Sequence, residues 1–278
     1  MTEPQAPSST VTVPALPPRA GTPVLGFFID LLIGLGVLLV VSVAASVAWG
    51  VFRGFELAMA SHRQGIAPAP ERIAEGIGQP GAMAQMLIAL ASTASAALLL
   101  YFWRRRASAQ ERQASRAAIA RRSTWGLVVA VAIGVFAFSA LVGSVAEFLG
   151  IHPVPTNLAL MEQAIDQYPW FLVVFAVALA PAYEELLFRR VLFGRLLAAG
   201  RPWLGMLLSS LAFALLHEVP GISGNGPWAI LQLWLVYGTM GAAFAWLYWR
   251  TGTLWAPIVA HGLNNAVALA ALHWFGIP

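Results

Sequence analysis

Seven segments of this chain are apolar over lengths that approach or exceed what is needed to cross a lipid bilayer. A transmembrane helix needs about 20 apolar residues. Of the 278 residues, 59% are hydrophobic and only 10% are charged, whereas soluble domains average about 25% charged residues. The sequence therefore predicts an all-α, polytopic transmembrane bundle of about seven spans. The predicted spans lie near residues 24–52, 82–103, 123–149, 169–188, 203–217, 228–249 and 253–275.

The chain divides into three parts by composition. Residues 1–23 are rich in Pro, Ser, Thr and Ala and predict a disordered tail, because they cannot bury enough apolar surface to order themselves. Residues 24–168 are predicted to form the first transmembrane helices. Residues 169–278 carry every polar motif discussed below, and the resemblance that those motifs carry implies that this part is the catalytic transmembrane core. The fourth span is expected to continue as helix to about Ala199.

Arginine residues indicate the orientation of the bundle. The loop at residues 104–122 contains seven of them, whereas the loop at 150–168 contains none. Loops on the cytoplasmic side carry an excess of basic residues. We therefore expect an integral, multi-pass protein with a cytoplasmic N-terminus, and the Ala- and Arg-rich composition favours a bacterial cytoplasmic membrane. The high isoelectric point then reflects membrane topology, so the bilayer is the expected partner and nucleic acid is not.

Two missing residue types restrict the chemistry. Cys is absent, which excludes disulfides, thiolate catalysis and cysteine-type zinc sites. All sixteen basic residues are Arg, so neither a Schiff base nor a Ser–Lys dyad can form.

Two adjacent carboxylates interrupt the fourth apolar segment. Glu184 and Glu185 follow the uncharged stretch 169–182 and precede Arg189 and Arg190. A charge near the bilayer centre costs about 2.5–3.5 kcal/mol on insertion scales, so such groups face a bundle interior or a wet cavity and mark functional sites by default. The alternative is an acid–base cluster at the membrane surface that only anchors the helix.

The two carboxylates cannot have the same role. On a helix they lie about 100° apart. Glu185 and Arg189 are spaced i, i+4 with the acid first, which is the favourable order for an ion pair. Glu185 is therefore predicted to be ionised and structural. Glu184 has no cation on its own face and is the candidate for activating water.

Two later spans carry polar residues at helical spacing. Phe213 and His217 end the fifth span, and His261 and Asn265 lie in the seventh. Each histidine alone fits an interfacial or core position, and His261 and Asn265 could simply join helices through hydrogen bonds. Glu218 and His273 are interpreted as structural. A carboxylate, two imidazoles and an amide on three separate spans together indicate hydrolysis.

The motifs EExxxR, FxxxH and HxxxN resemble those of the CAAX prenyl endopeptidase family, also called CPBP or Abi intramembrane proteases. They occur here in the family's order as Glu184-Glu185…Arg189, Phe213…His217 and His261…Asn265, within residues 169–275. The resemblance implies an intramembrane glutamic endopeptidase acting on a membrane-associated protein or peptide. It implies that Glu184 is the general base and His217 assists it. It further implies that His261 and Asn265 stabilise the oxyanion, and that Glu185 and Arg189 support the site.

Two other functions remain open at this stage. Glu184, His217 and His261 could bind zinc as three N/O ligands with water in the fourth position, so the cofactor expectation is none, with zinc as the alternative. The polar cavity could also serve a non-catalytic membrane immunity or transport protein. The physiological substrate, including whether it is prenylated, is not indicated by these motifs.

The arginine pattern also places the two histidines at different depths. His217 falls near the outer end of its span, whereas His261 lies about 12 Å from the cytoplasmic start of the seventh. The two can meet only if the fifth span starts later than predicted, or is tilted or broken.

Overall fold

The computed structural model describes residues 22–65 and 69–275, and all regular structure in these ranges is helical. The transmembrane bundle predicted from hydropathy is confirmed. The ten helices are α1 (Pro23–Arg63), α2 (Pro70–Ile77), α3 (Ala82–Arg104), α4 (Ala109–Ile119), α5 (Arg122–Phe148), α6 (Leu158–Gln167), α7 (Pro169–Ala198), α8 (Pro202–His217), α9 (Pro227–Thr251) and α10 (Trp255–Phe275). The predicted disordered tail falls, up to residue 21, outside the described residues, and Pro23 already begins α1.

Six of these helices are long and apolar enough to span a membrane, namely α1, α3, α5, α7, α9 and α10. The seventh predicted span is α8, a shorter apolar helix of 16 residues, or about 24 Å. Large apolar side chains remain exposed on the outside of the bundle, for example Leu32, Ile133 and Leu207. This is the surface that a bilayer would cover.

The loops between the predicted spans contain more helix than hydropathy indicates. α1 continues to Arg63, so its 41 residues reach about 61 Å, twice the thickness of the hydrocarbon core. The short helix α2 packs back on this extension, with Ile73 beside Gly54. α4 and α6 fill the loops at 104–122 and 150–168. α4 begins with a capping box in which Ser108 and Glu111 satisfy each other's backbone N–H groups.

The helices pack around α7. α1 lies against α3, α8 against α9, and α5 against both α9 and α10, while α10 contacts the first half of α7. The main core joins the arginine-rich half of α7 to its neighbours through buried residues such as Phe27, Leu100, Leu192 and Phe244. A smaller core at the other end includes Met86, Leu172 and Leu269.

A group of ion pairs, the arginine cluster, fixes the end of α7 that carries Gly194. Fully buried Asp30 of α1 pairs with Arg104 and with Arg195, whose Nη2 lies 2.5 Å from Oδ2. Arg190 binds Glu111 at 2.7 Å. Arg105 donates to the Gly194 carbonyl at 2.7 Å. These bonds connect α1, the end of α3, α4 and α7.

Candidate active site

The carboxylates Glu184 and Glu185 lie between two irregular parts of α7. The helix adopts π-type hydrogen bonding over Phe175–Leu179 and again over Leu186–Phe193, with a short α-helical segment, Ala180–Glu185, between them. Pro181 within that segment has no N–H to donate. π-type turns inside α-helices are frequent at functional sites. The backbone therefore departs from regular helix on both sides of the two acids.

Glu185 is the centre of a fully buried ionic network. Its Oε2 lies 2.8 Å from Arg189 Nε, and both side chains are completely buried. The guanidinium also stacks over the Phe213 ring at 5.0 Å. The other oxygen of Glu185 lies 2.9 Å from His261 Nδ1. Because an ionised carboxylate only accepts hydrogen bonds, His261 carries its proton on Nδ1 and donates it to Glu185.

Glu184 faces both histidines. Its Oε2 lies 3.9 Å from Nε2 of His217 and 3.9 Å from Nε2 of His261. These distances are too long for hydrogen bonds and suit a bridging water. The Glu184 and His217 side chains are 21% and 24% exposed, whereas that of His261 is only 3% exposed. The Glu184 carboxylate is therefore partly accessible, while the His261 imidazole behind it is almost enclosed.

Both imidazole rings have the same orientation toward Glu184. His217 Nδ1 lies 2.8 Å from the Phe213 carbonyl oxygen, so this nitrogen also carries a proton and donates it. The partners of the two Nδ1 atoms thus leave both Nε2 atoms directed at one carboxylate oxygen. The Phe213 ring lies 4.1 Å from the His217 ring, and the Phe244 ring stacks on His261 at 5.1 Å.

The predicted difference in depth between His217 and His261 is resolved because the α7–α8 and α9–α10 connections lie at different heights. Glu184 lies 14 residues before the end of α7, and His217 lies 15 residues after the start of α8, so both are about 21–22 Å from the turn that joins these helices. His261 is only about 9 Å from the start of α10. The α7–α8 turn therefore extends about 12 Å beyond the α9–α10 turn, and all three side chains meet at one depth.

The Asn265 amide is engaged by the backbone of α7. The π-type turn directs the Ala180 N–H to the Phe175 carbonyl, and Pro181 offers no N–H to the Ala176 carbonyl. Asn265 Nδ2 donates to that carbonyl at 2.9 Å. Next to it, Gly262 allows α10 to approach closely, because a Cβ at this position would collide with the Val177 carbonyl.

Loops beyond α8 enclose the side of the site opposite the arginine cluster. The fully buried Glu218 carboxylate accepts hydrogen bonds from Thr156 at 2.6 Å and from Asn225 at 3.0 Å. Burial alone would raise the pKa of Glu218, but the polar groups of Ser223, Thr156 and Asn225 hold it below its usual range. Asn225 also exchanges hydrogen bonds with the Val154 backbone. The residue after His217 thus ties two loops together.

The predicted site residues therefore fall into two groups. Glu184, His217 and His261 converge, with Glu185, Arg189 and Phe213 packed behind them. Asn265 lies beside them but bonds to Ala176. The sequence alone did not single out Tyr237, whose ring lies 4.9 Å from that of His217, or Phe244. Their only signal is the i, i+7 spacing of two aromatics on one helix.

The potential metal ligands around Glu184 are one carboxylate and two imidazoles, which are groups that bind zinc in proteins. Among residues 22–65 and 69–275, however, no group of three His, Cys, Asp or Glu side chains is arranged to hold a metal ion.

These features define a polytopic helical membrane protein with a carboxylate–histidine site between α7, α8 and α10. The family model described as "Type II CAAX prenyl endopeptidase Rce1-like" matches residues 166–267, which include all of these side chains. The chain belongs to this family.

Two curated proteins are similar to part of the chain. One is named "Putative membrane peptidase YdiL", from Bacillus subtilis, and is 31% identical over 126 residues, or 45% of this chain and 47% of the relative. The other is the UPF0177 protein YbdI of Lactococcus lactis, 30% identical over 136 residues, or 46% of this chain and 68% of the relative. The chain thus matches about half the length of the first of them. No solved structure gives a significant match.

Proposed function

We propose that this protein is an intramembrane endopeptidase that hydrolyses a peptide bond of a membrane-associated protein or peptide with water activated by Glu184. The observation that carries the proposal is the placement of Glu184 Oε2 at 3.9 Å from two imidazole Nε2 atoms. Family membership and the similarity to a protein named as a membrane peptidase support it.

In the proposed reaction, a water molecule occupies the space between Glu184 and the two Nε2 atoms. Glu184 removes a proton from this water, and the oxygen attacks the scissile carbonyl carbon. The carbonyl oxygen becomes an oxyanion, which is stabilised by hydrogen-bond donors of the site. The C–N bond then breaks and the leaving amine takes the proton from Glu184, so that peptide and water become a carboxylic acid and an amine.

The supporting residues prepare this geometry. Glu185 holds Arg189 and fixes the Nδ1 proton of His261, so that the His261 Nε2 faces the reacting atoms. Phe213 provides the carbonyl that performs the same task for His217. With a second proton taken up from solvent at Nε2 before the attack, His261 would be an imidazolium held between Glu185 and the oxyanion, and its Nε2–H could donate to that oxygen.

The decisive experiment compares the cleaved membrane peptides of cells containing the wild type with those of cells containing Glu184→Gln. New peptide ends that depend on Glu184 are expected. Glu147→Gln, which changes an exposed acid paired with His152, is the matched control and should cleave like the wild type. Identical peptide ends with wild type and Glu184→Gln would refute the enzymatic function and favour a binding or transport role.

Metal dependence is tested on the same purified protein. Without a metal, chelators leave cleavage of the identified peptide unchanged. If zinc participates, Glu184, His217 and His261 are the residues that would hold it, and it would polarise the attacking water. Activity would then fall on chelation, return with Zn²⁺, and accompany about one metal ion per chain.

We also propose that the arginine cluster faces the cytoplasm, with the N-terminus on the same side, in a bacterial cytoplasmic membrane. The absence of native Cys allows a direct test with single cysteines at the exposed positions Arg112 and Ile222. A membrane-impermeant maleimide added to intact cells should label only Ile222→Cys. Labelling of Arg112→Cys alone would reverse the orientation.

A further inference from the structure

α9 supplies one aromatic ring to each histidine of the site. Tyr237 lies 4.9 Å from the His217 ring, and Phe244 lies 5.1 Å from the His261 ring. The two residues are seven positions apart, so they share one face of the helix. Gly241 lies between them on that face, and a Cβ there would approach the Ser210 Cα of α8 to 3.1 Å. The close helix contact at Gly241 therefore brings both rings against the site.

The two rings differ by one hydroxyl group. The Tyr237 side chain is partly buried, and its hydroxyl makes no hydrogen bond with any residue in the described ranges. It lies within electrostatic range of the Glu218 and Glu184 carboxylates. Tyr237 thus presents an unused hydrogen-bond donor beside His217 and in range of the proposed general base.

The proposed hydrolysis needs such a donor. An oxyanion is stabilised by donors already aimed at the position where its charge develops. One N–H of the Asn265 amide, which the family resemblance assigns to this task, donates to the Ala176 carbonyl, so only its second N–H can serve the oxyanion. The Nδ1 protons of both histidines are also engaged, by Phe213 and Glu185. Besides the second N–H of Asn265, the phenol of Tyr237 is a neutral donor at the site, and it has no hydrogen-bond partner among the described residues.

We propose that Tyr237 is a further catalytic residue, whose hydroxyl donates a hydrogen bond to the oxyanion formed during peptide hydrolysis. This assignment rests on the proposed function. Tyr237 keeps its proton throughout: the water proton goes to Glu184 and then to the leaving amine, and the phenol only stabilises the negative oxygen. His217, whose ring lies tilted against that of Tyr237, assists the attacking water from the adjacent position.

Tyr237→Phe tests the assignment, because it removes the hydroxyl and keeps the ring that packs on His217. On the peptide whose cleavage depends on Glu184, kcat should fall about 10²- to 10³-fold, as for loss of one oxyanion donor, with KM changed less than about twofold because ground-state binding is retained. The matched control is Tyr248→Phe, which removes a hydroxyl on the same helix that contacts Arg190 in the arginine cluster. Its kcat should equal that of the wild type.

A second measurement separates catalysis from packing. A peptide aldehyde of the same sequence mimics the tetrahedral intermediate when it is hydrated, so its affinity should weaken in Tyr237→Phe by the same factor as kcat/KM. If Tyr237→Phe fails to fold, fluorotyrosine at position 237 preserves the side-chain shape and makes the phenol more acidic. An altered kcat would then support the assignment, and an unaltered kcat would overturn it.

The failures of the two proposals can be told apart. If Glu184→Gln abolishes cleavage but Tyr237→Phe keeps kcat within about threefold of wild type, the endopeptidase function stands and the role of Tyr237 is wrong. A change in KM alone would also contradict it, because it would indicate substrate binding. If the wild type produces no cleavage that depends on Glu184, the proposed function fails, and the role of Tyr237 fails with it.

Discussion

The two charged regions along α7 differ in how closely their carboxylates are paired with basic groups. In the arginine cluster, Asp30 lies 2.5 Å from an arginine nitrogen of Arg195, and Glu111 lies 2.7 Å from one of Arg190. About 15 Å along the helix, Glu185 is paired just as closely. Among residues 22–65 and 69–275, however, the adjacent Glu184 has only two basic nitrogens within 4.0 Å, the Nε2 atoms of His217 and His261, both at 3.9 Å. The arginines of α7 in the arginine cluster are thus paired with carboxylates of α1 and α4, whereas Glu184, the carboxylate proposed to react, has no such close partner among the described residues.

Glu185→Ala should give the largest loss of stability and so sharpen this contrast. It leaves fully buried Arg189 without a counter-charge, and breaking a buried pair in this way costs about 3–5 kcal/mol of unfolding free energy. Glu184→Gln should leave stability almost unchanged while lowering turnover by about 10³-fold or more. Thermal unfolding in detergent, read beside turnover, measures both. Similar stability losses for the two variants would end the distinction between a structural and a reactive glutamate.

Asp30→Asn tests the saturated region. Arg104 and Arg195 would both lose their shared carboxylate, but they are 24% and 13% exposed and can recruit water, so we expect a loss of about 2–3 kcal/mol. Turnover per folded molecule should be retained. Glu56→Gln, in the exposed pair with Arg53, is the control and should change stability by less than about 0.5 kcal/mol. Loss of turnover in folded Asp30→Asn would show that the two regions are coupled.

Glu111→Gln should have a smaller and pH-dependent effect. Burial alone would raise the pKa of Glu111, but hydrogen bonds from Arg190 and the Ser108 backbone lower it from 4.5 to about 2. Since the folded pKa is depressed, the stabilisation is complete above about pH 4.5 and is lost as the pH falls through about 2. At pH 7 we expect the variant to lose about 1–2 kcal/mol, because the pair is partly exposed.

The measurement is the difference in unfolding temperature between wild type and Glu111→Gln from pH 7 to pH 2.5. The gap should narrow steadily below pH 4.5. A gap that stays constant down to pH 2.5 would mean that the carboxylate charge contributes nothing to the arginine cluster.

Asn265→Ala should give the smallest effect of the series and decides to which region this residue belongs. Its amide serves the Ala176 carbonyl, and interhelical hydrogen bonds in membranes average about 0.6 kcal/mol, so we expect a stability loss near 1 kcal/mol. Asn264→Ala is the neighbouring control, since within the described part of the chain that amide donates only to the Met240 sulfur, at 3.6 Å. Unchanged stability with lost turnover would instead place Asn265 on the substrate.

The spans could be predicted from sequence because hydropathy over about 20 residues is a strong signal. The sequence did not predict the extension of α1 to Arg63 or the short helices α2, α4 and α6, because their polar composition resembles that of loops. Convergence of Glu184, His217 and His261 was expected from three motifs at helical spacing. The offset between the two helix turns, which brings these residues to one depth, depends on tertiary packing and leaves no periodicity to detect.

Two features of the site could not have been found by pattern. Tyr237 lies in an apolar helix where an aromatic residue is ordinarily packing, and only the neighbouring His217 distinguishes it. The Asn265 amide is directed to Ala176 because a π-type turn and Pro181 together leave that carbonyl free. Pro181 is visible in the sequence, but the hydrogen-bond register around it is not.

The π-type turns of α7 also affect the direction in which its side chains point, because one residue more or less in regular helix rotates the rest of the helix. Each residue of a regular helix advances the chain by about 100°. A π-type turn accommodates one extra residue, so deleting Ala178 while Phe175–Leu179 returned to regular helix would keep the phase of Glu184. Refolding of this segment as regular helix at unchanged length would instead swing Glu184 by about that angle relative to the Trp170 end. The carboxylate would then leave the two imidazoles without any change in side-chain chemistry. Hydrogen-bond register, as much as composition, therefore specifies where this helix presents its acid.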